Sequence, residues 1–497
     1  MKFLKLLAIA LIINAVWISV VFAATVTWTG GGGDNLASTG LNWDTASAPT
    51  TGDAAIYNGA FPVTGSKNST WDITASLDRV EVTSGYSGVI TQTAKLTTSG
   101  NNTHGGLKIN GGTWTANGQD VQLAHGLRVD GAGTCTINAG SGTWSDTADG
   151  GWGATISNAN LTFNRETSHF SIRDWVDVGA GDTFYKLTFV THTGFTITGP
   201  VTVTNDLDLK SDNTSNTNFA AGTGAYIYAQ GNVKYTSTTK YAYAPGITLE
   251  FSGSANQTLT CDSTYFGFDF PVIINKSGGT LTLSGTILFF PDTFTYTAGT
   301  VDPGTSHVKF TFTTSVNAGT MHFYDLSFYG QDGSAFTGTL TGALNVDHNF
   351  TIDSDHSASS AATFAPGSNT VTIGGNYTKD ATYGVFTTGT STVILTGTSA
   401  VDGSTDFYSF TCSGTCTFDD ADTFTTHASG TFSGNGSFLS DHASNTADFN
   451  VGGTESVVSG VCTRVDNSGT NVGTSGTVTS CIGWTGTAAA RRIILIT

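Results

Sequence analysis

The sequence predicts an all-β fold, a β-solenoid of the parallel β-helix kind built from degenerate tandem repeats. Three observations carry this: apolar residues alternate with Thr, Asn or Lys over short runs, Gly- and Asn-rich turns separate the runs, and long blocks of sequence recur. Alternation with a period of two marks a half-buried strand, because successive side chains point to opposite faces. Recurring short units cannot bury their apolar sides alone, so each must lie against its neighbour. Tandem β-sandwiches would also give short strands and are the competing architecture, but they call for linkers, and none is visible.

Composition agrees. Glycine accounts for 63 of 497 residues and charged residues for 11%. Disorder would combine low hydrophobicity with high charge, whereas 38% of this chain is apolar, and 31 Phe, 15 Tyr and 9 Trp are at hand to fill a core.

Taken in order, residues 1–23 read as a secretory signal peptide: Lys2 and Lys5, an apolar run from Leu6 to Val21, and a small-residue exit at Phe22-Ala23-Ala24. A membrane anchor would share the apolar run, but the exit and the polar chain beyond it favour cleavage. No later stretch reaches the ~18 apolar residues needed to span a bilayer. The expected location is therefore secreted or cell-surface, with no transmembrane segment after signal removal.

Residues 24–180 form an N-terminal solenoid region, with runs such as Thr25-Val-Thr-Trp28 and Val121-Gln-Leu123 between Gly-rich turns. Residues 181–460 form a repeat-built solenoid region. Phe184-Tyr185-Lys-Leu187-Thr-Phe189 returns as Phe323-Tyr324-Asp-Leu326-Ser-Phe328, and Val203 to Asp212 lies over Val346 to Asp355, which sets Asn205 against His348. A corner motif, Pro303-Gly304 followed by Val308 and Pro366-Gly367 followed by Val371, bends the chain before a strand restarts. Residues 461–497 are a C-terminal cap and tail. The end, Arg491-Arg492-Ile-Ile-Leu-Ile-Thr497, is β-prone and suited to covering a last edge or docking on a partner.

The opening Trp28-Thr-Gly30-Gly31-Gly32-Gly33-Asp34-Asn35, with Asn42-Trp43 and Gly52-Asp53-Ala54-Ala55-Ile56, resembles the start of bacterial surface β-solenoids of the autotransporter-passenger and filamentous-haemagglutinin-like adhesin type. The Phe-Tyr-x-Leu repeats and the close from Cys462 to Trp484 resemble the same group. The resemblance implies a right-handed parallel β-helix on a cell surface, used for adhesion or as a fibre. A C-terminal β-barrel, typical of autotransporters, and a Leu-Pro-x-Thr-Gly sorting motif are both missing from the sequence.

Six cysteines in an oxidising compartment make disulfides possible. Cys412 and Cys416 are expected to pair across a short hairpin, and Cys462 with Cys481 to close the last loop, while Cys135 and Cys261 suit buried thiols. The formal charge of −18 becomes −20 once Lys2 and Lys5 leave, which argues against nucleic acid or anionic lipid as partner.

Candidate chemistry is sparse. Gly30 to Asp34 departs from the calcium nonapeptide Gly-Gly-x-Gly-x-Asp by one position and does not recur, so a turn is expected there. Asp347, Asp353 and Asp355 with His348 and His356 form one polar group; strand parity places His348 inward, a structural role. Asp419, Asp420 and Asp422 are the better metal candidates, three carboxylates within four residues, against the plainer reading of solvated surface charge. No cofactor is expected; calcium is the one ion for which donors are at hand. Trp114, Trp144, Tyr235, Tyr241 and Tyr243 are glycan-stacking candidates, the alternative being core packing. Threonine runs such as Thr196-Ile-Thr198 would line a flat face, but their spacing in the sequence is irregular.

No catalytic residue is assigned. The expected function is a non-catalytic extracellular structural or adhesive protein that presents a long repetitive polar face to a surface glycan, a protein receptor or itself. The alternative is a β-helix polysaccharide lyase or glycoside hydrolase acting on extracellular glycans. It requires a groove where acids from different turns meet a Lys or Arg.

Overall fold

The computed structural model describes residues 23–488, apart from segments 60–67, 101–105, 148–153, 156–159, 174, 178–181, 192–193, 198, 212–216, 222–224, 238–241, 244–246, 264–270, 290–292, 331–334, 356–359, 458–459, 468–471 and 480–482. The signal segment and the Arg491 to Thr497 tail lie outside the described residues. The chain falls into two compact units, residues 1–142 with 160–164, and residues 143–159 with 165–497. Both are parallel β-solenoids. The paired strands described are all parallel, which excludes the sandwich alternative, since sandwiches are antiparallel. No described helix is long and apolar enough to cross a membrane.

In the first unit the chain coils through three ladders. One runs Thr25–Trp28, Ala54–Tyr57, Arg79–Val82, Leu107–Ile109 and Leu127–Arg128; a second runs Ser69–Trp71, Val89–Gln92, Gly112–Thr115, Cys135–Asn138 and Leu161–Asn164. The third joins Ser76–Leu77, Leu96–Thr98 and Val121–Leu123. One end is closed by aromatic packing of Trp28, Trp43 and Tyr57, with ring centroids 5.3 to 5.6 Å apart. The Gly30 to Asp34 segment belongs to this closure, and Asp34 serves as its clasp. Its carboxylate accepts the Leu36 N–H (3.0 Å), the Thr39 hydroxyl (2.9 Å) and Asn42 Nδ2 (2.9 Å), as the turn reading expects.

The second unit repeats the scheme, and the duplicated blocks fold alike. Phe184, Leu187 and Phe189 are buried, as are their counterparts Phe323, Leu326 and Phe328. The Asn205 N–H donates to Tyr185 O (2.8 Å) just as the His348 N–H donates to Tyr324 O (2.9 Å). This corner overturns the inward placement of His348. Strand Leu344–Val346 ends before it, the bend resets the alternation, and the ring lies exposed, stacked on Tyr324 at 4.8 Å with Nδ1 on Asp325 (2.9 Å).

From Phe328 to Phe449 the core is a column of phenyl rings. Phe328, Phe350, Phe364, Phe410, Phe432 and Phe449 are fully enclosed, with neighbouring centroids near 5 Å, such as 4.7 Å for Phe328–Phe364 and 4.8 Å for Phe432–Phe449. Each ring contributes about 1.5–3 kcal/mol from burial. Lys276 and Gln257 enter the core as a bonded pair. Lys276 Nζ donates to Ala255 O (2.9 Å) and to Gln257 Oε1, and Gln257 Nε2 donates to Ala229 O and Gly231 O at 2.9 and 2.6 Å.

Two cysteine expectations meet the structure differently. Cys412 and Cys416 are bonded, with Cα atoms 6.3 Å apart. No hairpin is involved, however: Ser409–Cys412 and Thr415–Phe418 belong to different parallel ladders, and the bridge staples the corner between them. Cys462 is buried and disulfide-bonded, while Cys481 lies outside the described residues. Cys135 and Cys261 are buried cysteines outside any disulfide, as expected.

Replacing Phe410 by Ala, which empties a site contacting Phe407, Phe418, Phe432 and Phe449, is expected to cost about 3–5 kcal/mol. Because contacts run only between neighbouring coils, the loss should be local. Hydrogen exchange should accelerate across 393–440 and stay unchanged across 201–211; a uniform increase over both stretches would contradict this.

Candidate functional site

Three of the five aromatic glycan candidates are core residues. Trp114 and Tyr235 are 0% exposed and Trp144 is 2% exposed, so none of them can meet a sugar. Each lies at the inward parity of its strand, and Trp114 Nε1 is bonded to Gln92 Oε1 (2.8 Å). Tyr241 lies outside the described residues; Tyr243 ends strand Ala242–Tyr243, and its side chain is likewise outside them. The outward pair is instead Tyr226 and Tyr228 on strand Ala225–Ala229, whose rings stack side by side at 5.6 Å with 10° between planes. Their signal was present in the run Ala-Tyr-Ile-Tyr-Ala, where parity sends Ala and Ile inward.

The acidic run Phe418-Asp-Asp-Ala-Asp422 makes the corner between strands Thr415–Phe418 and Thr423–Thr426. Its three carboxylates do not all meet at one point. Asp422 turns back to the preceding coil, where Oδ2 accepts the Gly403 N–H (2.7 Å) and Oδ1 accepts the N–H (3.0 Å) and hydroxyl (2.8 Å) of Ser404. Burial works against the charge, yet these donors prevail and hold the carboxyl below its ordinary range. Asp402 stands beside it on strand Thr398–Asp402, and burial together with the charges of Asp422 and Asp419 pushes its carboxyl up. Asp420 faces the following coil, its N–H on Asp441 Oδ1 (3.0 Å) and its carboxylate on Asn445 Nδ2.

The run therefore splits into two sets. Asp419 and Asp422 gather with Asp402, and Asp419 and Asp420 gather with Asp441, with one oxygen of each member within 4.8 Å of the others. In both sets the third carboxylate comes from an adjacent coil, which no motif within a single run can reveal. Both oxygens of Asp422 are already engaged by a turn, so its first role is to fix Gly403 and Ser404. Gly403 has φ of 89°, and a Cβ there would lie 1.9 Å from Lys379 O, so only glycine fits.

That corner borders a groove. Along one side of the unit, strands Thr293–Asp302, Thr314–Asn317, Phe336–Leu340, Ala362–Ala365 and Gly384–Phe386 form a ladder that stops at the last of them. The next strand on that side, Thr405–Phe407, starts a separate ladder with Thr423–Thr426, Ala447–Val451 and Val465–Asp466. The cause is a step in coil length. Val371 pairs with Val393, 22 residues on, but Val393 pairs with Phe410, only 17 residues on. The short coil leaves a groove of about 390 Å³ between the two ladders, with Lys379 and Phe386 below and Asp406 at its rim.

Lys379 is the inward residue that ends strand Tyr377–Lys379, and it is 8% exposed. Its Nζ reaches Asp380 O and Gly384 O at 3.3 and 3.4 Å. Burial draws the ammonium below the ordinary lysine range, and Asp422, Asp380, Asp402 and Asp406 oppose this. One lysine in a β-run carries no signal in the sequence unless its parity is known.

On another face the outward residues line up. Thr370, Thr392, Ser409, Thr431 and Thr454 follow one another in register, and beside them run Thr372, Ile394, Thr411, Ser433 and Ser456. The columns stand about 6.8 Å apart along a strand and successive coils about 4.8 Å apart. Thr411 Oγ1 and Ser433 Oγ are hydrogen-bonded at 2.8 Å. Irregular spacing in the sequence thus becomes regular in space, since the length differences between coils are absorbed at corners.

Comparison of the chain with protein-family models, with curated proteins and with solved structures finds no match.

Asp422→Ala removes three hydrogen bonds from a charged acceptor and is expected to destabilise the unit by about 2–3 kcal/mol at pH 7. A depressed carboxyl stabilises the fold above its unfolded value, and this is lost as pH falls through the folded one. The gap between wild type and variant should then close below the ordinary value of 3.8. Thermal melts from pH 7 to pH 2.5 check this, and a gap independent of pH would contradict it.

Proposed function

We propose that the protein is a secreted or cell-surface, non-catalytic solenoid of the autotransporter-passenger or filamentous-haemagglutinin-like adhesin type, acting as an adhesin or structural fibre. The observation that supports it best is the double column from Thr370 to Ser456, nine hydroxyl side chains and Ile394 in register across five coils. A repetitive, uncharged, hydrogen-bonding face suits many weak contacts to a repetitive partner, where simultaneous engagement multiplies modest affinities. Surface glycans, a protein receptor or a second copy of the chain are the partners that fit. The charge of −18 disfavours nucleic acid.

A β-helix lyase or glycoside hydrolase is the second reading, favoured by one observation. Asp402 and Asp422, on neighbouring coils, have carboxyls pushed in opposite directions beside a buried Lys379. The engagement of Asp422 with the Gly403–Ser404 turn speaks for a structural role instead.

Binding to a glycan array and to glycan-coated surfaces, run beside a reducing-sugar release assay, separates the two. Thr372→Arg with Thr411→Arg should lower surface binding at least tenfold, about 1.4 kcal/mol, without shifting the thermal midpoint. Release of reducing ends by the wild-type protein would overturn the non-catalytic reading.

A further inference from the structure

We infer that the groove between strands Gly384–Phe386 and Thr405–Phe407 is a binding site for one unit of a neutral sugar chain, held by Lys379 and Asp406. This deepens the adhesive reading and rests on it.

The groove leaves polar groups unsatisfied. The Asp406 carboxylate accepts Thr425 Oγ1 through Oδ1, which leaves its second oxygen free at the rim. Lys379 Nζ brings three N–H donors and has two long carbonyl contacts. Backbone groups add to these. In a parallel ladder alternate residues direct both N–H and C=O to the same side. The Thr387 N–H donates to Phe364 O (2.9 Å), which turns Phe386 the other way, toward the groove. By the same logic His427 N–H on Phe407 O (2.9 Å) turns Asp406 toward it, and Asp406 O there accepts the Thr388 hydroxyl (2.9 Å).

The ligand class follows by elimination. An anion would meet Asp406 in the lining and the charges of Asp402 and Asp422 that act on Lys379, and a cation would meet Lys379 itself. A neutral group that both donates and accepts satisfies both, and vicinal hydroxyls of a sugar do so, donating to Asp406 and accepting from Lys379. Val385, 44% exposed, offers an aliphatic wall for the C–H face of the ring. About 390 Å³ lies within the ~300–1,000 Å³ usual for small-molecule sites. A groove open at the surface leaves the rest of the chain free to run on along the solenoid.

The test uses the whole protein with neutral tetrasaccharides (cellotetraose, maltotetraose, mannotetraose, β-1,4-galactotetraose) and tetragalacturonate as the acidic comparison, followed by saturation-transfer NMR and calorimetry. At least one neutral probe should bind with a Kd at or below ~1 mM. Val385→Trp, which fills the groove from an exposed position, and Asp406→Asn should each weaken it at least tenfold, whereas Thr372→Arg with Thr411→Arg should not. Absence of neutral binding, preference for the galacturonate, or equal binding by both groove variants would overturn the assignment. Should the groove variants bind probes like wild type while the Thr411 face still governs adhesion, the groove inference falls and the adhesive reading stands. Should the wild type cleave a probe that the groove variants no longer bind, the adhesive reading falls and the groove stands.

Discussion

The structure depends on one constraint, that each coil must stay in parallel register with the next. A strand in these ladders has no apolar cover of its own. It acquires one only when the inward residue of the next coil lies directly above, as Phe410 lies over Val393 and Phe432 over Phe410. A slip by one residue would exchange inward and outward faces along the whole strand. The alternation of apolar and polar residues along the strands, and the stacked phenyl rings from Phe328 to Phe449, follow from that requirement.

The same constraint explains where variation is allowed. Ladders fix strand length and phase, so insertions and deletions are confined to corners, and corners are where the chemistry gathers. Asp34 clasps one, the Cys412–Cys416 bridge staples another, and Asp422 caps a third by reaching back a coil. Where shortening goes beyond what a corner absorbs, as in the 17-residue coil from Val393 to Phe410, a ladder breaks. A groove with a buried cation is the result, and the most distinctive local chemistry of the chain is a by-product of a change in coil length.

Function on such a scaffold divides between extended faces and local defects. The threonine columns arise from regular stacking and offer repetition without depth. The groove at Lys379 arises from irregularity and offers depth without repetition. An adhesive protein has use for both, a broad face for avidity and a discrete pocket for selectivity, which is why the two proposals are compatible and separately testable.

By itself the sequence determined the all-β class, the solenoid repeat, the Cys412–Cys416 pair and the turn at Asp34, because period-two alternation, block recurrence and short loops are local properties of the chain. Tertiary structure decided that Trp114, Trp144 and Tyr235 are buried, whereas the outward placement of Tyr226 and Tyr228 was already written in the parity of Ala-Tyr-Ile-Tyr-Ala. It also decided that Asp419, Asp420 and Asp422 part company and take Asp402 and Asp441 as neighbours, that His348 faces outward after a bend, and that irregularly spaced threonines align. All of these are relations between residues about 17 to 29 positions apart, set by the register of one coil on the next, and a linear reading has no access to that register.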